Sequence, residues 1–189
     1  PIADRLGIPL SKLAYHFSAG ILRHAPAITA ITSPTYNSYQ GFLAQGEMAD
    51  VSWAPVLIAF GRNNRSAMLR LPLNRYCVEN RAPDMANNSY LSAAIHLAAG
   101  LEGIEEELDP GEPVNANIYE KNKSELKQSG IKFLPSTLTE ALDAFEEDPL
   151  TERVFGEMKG IFLKQKRWEW EASFFPIARE QFEKTLTHI

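Results

Sequence analysis

Residues 61 to 84, GRNNRSAMLRLPLNRYCVENRAPD, set charged side chains inside a stretch that otherwise has the make-up of buried β-strand. Arg65, Arg70, Glu79 and Arg81 lie among Ala67, Met68, Leu69, Leu71, Cys77 and Val78. Burying an unpaired charge costs on the order of several kcal/mol, so partners are required. Pro72 punctuates the run, and SAMLRL and RYCVENRA fit two strands joined by a short connection. Strand side chains alternate, so Glu79 and Arg81 share a face. Two readings follow. The charges form an ion-pair network at a sheet edge, or they face a ligand. Three arginines against one glutamate leave a positive surplus suited to phosphate or carboxylate, and the acid among them suits a metal.

The rest of the composition bounds the class. The 189 residues suffice for one domain, and 44% hydrophobic with 23% charged is ordinary for a globular chain. A net charge of −5 argues against nucleic acid or an anionic membrane surface as partner, since both need a basic face. The single cysteine, Cys77, has no internal disulfide partner, which favours a reducing cytoplasm, and it reads as a small core hydrophobe. No apolar run is long enough to span a bilayer.

Along the chain, Leu13, Phe17, Ile21 and Leu22 recur at helical spacing behind Ser11 as a cap, and Pro26 should interrupt that helix. His16 and His24 are too far apart for one metal ion and read as structural or surface residues. Residues 33 to 53 are rich in turn formers and read as a long ordered loop, the kind that covers a site. Residues 53 to 61 are a short apolar strand, and Asn63 with Asn64 makes a tight turn. Residues 90 to 108 form a packed helix in which His96 is a residue with a polar tip, stopped by the DPGEP of residues 109 to 113. Thr137 and Glu140 have capping-box spacing, and residues 151 to 189 carry a last long helical pattern. Trp168 and Trp170 read as packing residues rather than base-stacking ones.

NNRSAMLRLP followed by VENRAPDMANNSYL, with HAPAITAITSPTYNSY upstream and AAGLEGI downstream, resembles the carboxy-terminal catalytic region of glutamine synthetases. PGEPVNANIY, DPLTERVFG and the closing WEW look most like the branch that includes γ-glutamylmethylamide synthetases. The resemblance implies an α+β fold, a curved antiparallel sheet supplied in part by residues 53 to 83 and flanked by helices. It also implies that residues 1 to 189 are the carboxy-terminal part of a catalytic domain. An amino-terminal β-grasp domain and the first catalytic strands, with further metal ligands, would precede it.

By the same resemblance, Arg65 would contact substrate carboxylate and the transferred phosphoryl group, Arg70 would hold ATP phosphates, and Arg81 would bind the acid. Glu79 would ligate Mg2+ or Mn2+. These types suit phosphoryl transfer, which needs cations on the equatorial oxygens and carboxylates for hard metals. The implied activity is ATP-dependent formation of an amide between the γ-carboxyl of glutamate, or a related acid, and ammonia or a small amine. A cytoplasmic homo-oligomeric double ring is the implied assembly, with the isolated chain inactive.

Two departures matter. Asn37, Ser38 and Tyr39 resemble the family's NSYKR, yet Gln40 and Gly41 stand where its lysine and substrate-binding arginine would be. Glu47 is the nearest counterpart of the glutamate that closes over the site and deprotonates the incoming ammonium. The missing arginine leaves the acid open and keeps a non-catalytic scaffold or regulator as the alternative. Tyr119, in NIY, lies in a context comparable to a nucleotidylated tyrosine of some bacterial relatives, and an ordinary loop residue is the simpler reading.

Overall fold

The computed structural model describes residues 10–42, 57–115 and 130–186. Helix α1 spans Lys12–Arg23 and starts where Ser11 Oγ accepts the Ala14 amide at 3.3 Å. It ends at His24, because Pro26 sits in the first turn of a new helix, α2, Ala25–Thr32. The expected interruption is therefore present. A 3-10 helix, Tyr36–Phe42, follows, so the start of the expected loop has regular structure. Helix α3, Ser89–Glu105, is capped by Asn88, whose Oδ1 accepts the amides of Tyr90 at 3.0 Å and Leu91 at 3.3 Å.

Three helices close the chain: α4, Leu138–Glu147; α5, Pro149–Phe155; and α6, Glu157–Leu186. Thr137 caps α4 through the Glu140 amide at 3.2 Å, while Glu140 reaches back to the Ser136 amide at 2.8 Å, one residue before the expected box partner. The helical pattern beginning at residue 151 is split at Gly156, whose φ of 49° is left-handed backbone.

The strands are β1, Leu57–Arg62; β2, Ala67–Leu71; β3, Glu79–Asn80; and β4, Lys132–Phe133, in the order β3-β2-β1-β4. The expected antiparallel sheet is a mixed one. β2–β3 and β1–β4 are antiparallel, but β1 and β2 are parallel, with Leu57 opposite Ala67 and Arg62 opposite Leu71. Residues 63 to 66 form the connection. Asn63 has a φ of 51° and donates its amide to Leu71 O at 2.8 Å, and Asn64 Oδ1 accepts both the amide and the hydroxyl of Ser66, at 2.9 and 2.6 Å. These bonds close a tight turn at residues 64 to 66 and tie the end of β1 to the end of β2, and β2 begins level with the first residue of β1.

The second expected strand, residues 75 to 82, shrinks to β3. Pro72 has no amide to offer the ladder, and the β2–β3 pairing is confined to Leu69↔Asn80 and Arg70↔Glu79. Leu73 and Tyr76 are exposed in the link, and Cys77 is half-buried there instead of lying in the core.

The core is continuous between sheet and helices. Phe60, Met68, Leu69 and Leu71 meet Ile28 and Ile31 of α2, Ile95 of α3, and Leu138, Leu142 and Phe145 of α4. Phe145 packs its ring on Phe155 at 5.5 Å and Phe162 at 5.1 Å, fastening α5 and α6. Helices α1 and α3 touch backbone to backbone. A Cβ at Gly20 would lie 1.9 Å from the Ala99 carbonyl oxygen, and one at Gly103 would lie 2.1 Å from the His16 carbonyl oxygen.

His16 and His24 serve this packing, as the sequence reading held. His16 Nδ1 meets the Leu108 carbonyl at 2.7 Å. His24 is buried, with Nδ1 2.7 Å from Asp148 Oδ2 and Nε2 2.7 Å from Glu102 Oε1, so it ties the α1–α2 junction to α3 and to the α4–α5 junction. Trp170 stacks on Phe174 at 5.0 Å within α6, again a packing role. No helix among the described residues is long and apolar enough to cross a membrane.

Candidate active site

The charged residues of β2 and β3 converge on one carboxylate. Arg70 and Glu79 face each other across the β2–β3 ladder, and Arg70 Nη1 lies 3.1 Å from Glu79 Oε2. Alternation puts Arg81 on the same side as Glu79, with its Nε 3.6 Å from Oε1. Arg75 reaches in from the link, its Nη2 2.9 Å from Oε2. Among the described residues, three guanidiniums thus surround one carboxylate, so positive charge outnumbers negative within this group. The first of the two readings left open by the sequence, an ion-pair network, is present.

Supports outside the charges fix the cluster. Arg70 Nη2 donates to Asn63 Oδ1 at 2.6 Å, so the left-handed turn residue is also a brace. Arg81 Nη1 donates to the backbone carbonyl of Arg65. Arg65 itself is exposed, standing at the rim with its side chain outside the Glu79 group. Arg70 Nε is buried with no hydrogen-bond partner among the described residues. A guanidinium with a spare donor beside surplus charge is suited to an incoming oxyanion. Beside Arg75, a cleft of about 140 Å³ is lined by Arg62, Leu71, Pro72, Tyr76 and Cys77 among others.

The other face of β3 carries a second arrangement. Asn80 Nδ2 lies 2.7 Å from His96 Nε2, and Asn80 Oδ1 accepts the Ala82 amide at 3.0 Å. His96 Nδ1 lies 2.7 Å from the Ser92 carbonyl, and burial lowers the imidazole pKa below its ordinary value.

Glu79 is a hard oxygen ligand, and Mg2+ is commonly held by one or two carboxylates together with phosphate oxygens. Among the described residues no group of three or more His, Cys, Asp or Glu could hold a metal. Among the described residues, Glu79 is the carboxylate of this cluster, and its oxygens are of the type that suits such a metal. Glu47 and Tyr119 lie outside the described residues, and Gly41 falls within the 3-10 helix.

The structure brings Arg70, Glu79 and Arg81 together and leaves Arg65 at the rim. The sequence reading did not connect Arg75 or Asn63 with the Glu79 group, nor Asn80 with His96. Only Arg75 carried a signal, its spacing of four from Glu79. That spacing is diagnostic on helices and uninformative in a link.

Residues 3–185 match the family model described as the glutamine synthetase catalytic domain. The chain is 45% identical over 168 residues to a glutamate–methylamine ligase from Methyloversatilis universalis, an alignment covering 89% of this chain and 38% of that protein. It is 42% identical over 166 residues to a glutamine synthetase from Pyrococcus abyssi, covering 86% of this chain and 36% of that one. A solved structure described as a GmaS/ADP complex superposes with a TM-score of 0.76 at 37% identity, covering 88% of this chain and 37% of the other. A second, described as apo GmaS without ligand, gives 0.71 at 36% identity, covering 86% and 35%. The chain thus spans well under half the length of these relatives. Matched along almost all of its own length, it belongs to the glutamine synthetase catalytic-domain family.

Proposed function

We propose that the protein to which this chain belongs is an ATP-dependent ligase joining the γ-carboxyl of glutamate, or a related acid, to ammonia or a small amine. The observation that carries this is the unbalanced cluster of Arg70, Arg75 and Arg81 around Glu79, in a chain of this family. A carboxylate oxygen of the acid attacks the γ-phosphorus of ATP as the bond to ADP breaks, giving an acyl phosphate. The amine nitrogen then attacks the acyl carbon, phosphate leaves, and the surplus proton on nitrogen passes to a base. Glu47 is the candidate for that base.

Arg70 binds the phosphate chain through its free Nε, and Arg81 holds the acid. Arg65, at the rim, meets the phosphoryl group in transit. Guanidiniums already fixed by Glu79 and Asn63 need little reorganisation when charge develops on the phosphoryl oxygens. Glu79 is the ligand this chain offers to Mg2+ or Mn2+, which when bound would neutralise phosphate charge. The remaining ligands come from outside the described residues, and in this reading the isolated chain is inactive and the working assembly is a homo-oligomeric double ring of full-length subunits.

A scaffold role is the second reading, favoured by Gly41 where the family has an arginine. The two are separated by incubating the full-length protein with ATP, glutamate and a panel running from ammonia through methylamine to larger primary amines. ADP and amide in equal amounts with one or more amines support the ligase, whereas silence across the panel supports the scaffold.

A further inference from the structure

We infer that His96 is a positioning residue for Glu79 and Arg81, acting through Asn80. This rests on the ligase reading for the roles of those two residues. The hydrogen bonds form one self-consistent chain. The Ser92 carbonyl only accepts, so His96 Nδ1 carries the proton that meets it at 2.7 Å. Asn80 Oδ1 accepts the Ala82 amide at 3.0 Å, which turns the Asn80 amide group so that Nδ2 faces the imidazole. His96 Nε2, 2.7 Å away, must then be the acceptor. Each bond determines the direction of the next, and the whole requires a neutral ring.

Such a chain matters because β3 is short: it is two residues long and, among the described residues, pairs with β2 alone. The Arg81 amide adds one bond to the Met68 carbonyl at 2.9 Å on the β2 side, and the Asn80–His96 bond ties the strand to α3. Side-chain alternation sends Glu79 and Arg81 to one face and Asn80 to the other. The face away from the arginines is thus pinned to α3 by Asn80 and His96, and the Ala82 amide ties the strand's exit to the same side chain. A loosened Asn80 frees the peptide units on both sides of it, which carry Glu79 and Arg81. Partners bonded directly to a metal ligand change affinity by about 10-fold to 100-fold when removed, and a support acting through the backbone of the neighbouring residue belongs at the low end of that range.

The test uses the full-length protein and its His96→Leu, His96→Gln and Asn80→Val variants, with Mn2+ binding followed by the electron paramagnetic resonance signal of the free ion, alongside ADP formation. His96→Leu should weaken Mn2+ binding about tenfold and raise the half-saturating glutamate concentration. His96→Gln should largely restore both, because its amide oxygen can accept from Asn80 Nδ2. Asn80→Val removes the same bond from the strand side together with the one to the Ala82 amide, and should weaken Mn2+ binding at least as much as His96→Leu, which keeps the question answerable should His96→Leu fail to fold. Unchanged Mn2+ binding in Asn80→Val or His96→Leu overturns the inference, as does equal impairment of Gln and Leu at 96. A wild type that binds Mn2+ and yields no ADP with any amine fails the ligase reading alone, while the Mn2+ comparison still decides the role of His96.

Discussion

Arg70 and Glu79 are register partners on adjacent antiparallel strands, and their side chains meet at 3.1 Å while only 17% and 28% exposed. That pair anchors the cluster. Because Arg70 also holds Asn63 at 2.6 Å, it links the turn, β2 and β3. Replacing it by alanine leaves the Glu79 carboxylate half-buried with Arg75 and Arg81 alone. The expected loss is about 1–3 kcal/mol in stability, read from the urea midpoint. Arg75→Ala, at an exposed partner, should cost under about 1 kcal/mol in the same assay.

His24 is the larger structural commitment. Both ring nitrogens are engaged at 2.7 Å by Glu102 and Asp148, whose side chains are 11% and 14% exposed. His24→Leu leaves two nearly buried carboxylates without the imidazole, although Arg153 still reaches Glu102. A loss of about 3 kcal/mol is expected. His24→Gln, which can still meet one carboxylate, should lose less, and thermal unfolding ranks the two.

Helix contact supplies a sharper steric test. A Cβ at Gly103 would fall 2.1 Å from the His16 carbonyl oxygen and 2.6 Å from the Gly20 amide nitrogen, both backbone atoms. Gly103→Ala should therefore destabilise by about 1–3 kcal/mol despite the better helix propensity of alanine. Gly160→Ala, in open space on α6, should be neutral or slightly stabilising.

The pH dependence follows from His96. Burial lowers its pKa in the folded state relative to the unfolded chain. The unfolded state then binds the proton more readily, so the associated stability is present above the ordinary histidine pKa and is lost as pH falls through the lowered one. Melting temperature should drop between neutral and mildly acidic pH, and less so in His96→Gln. An equal drop in both proteins would contradict this assignment.

Much of the fold was legible where local chemistry dominates. Pro26 stopped α1, Ser11 began it, and Asn63 took the left-handed turn because each acts on its own neighbours. Strand direction was not legible. The register sets Leu57 opposite Ala67 and Arg62 opposite Leu71, a long-range pairing that no period in the residues encodes. The charged strands announced Arg70, Glu79 and Arg81 through their conflict with buried neighbours, whereas Arg75 sat in polar surroundings and raised no such conflict. Asn80 and His96 lie 16 residues apart on a strand and a helix, so only the packing of α3 on the sheet reveals their pairing.

The most direct test of the central claim is ADP formation by the full-length protein with glutamate and its best amine, compared with Arg81→Ala. The account predicts amine-dependent turnover in the wild type and a fall in kcat/KM of about 100-fold or more in the variant, carried mainly by the glutamate dependence. Turnover that survives the loss of Arg81 unchanged would contradict it, as would no ADP with any acid and amine offered.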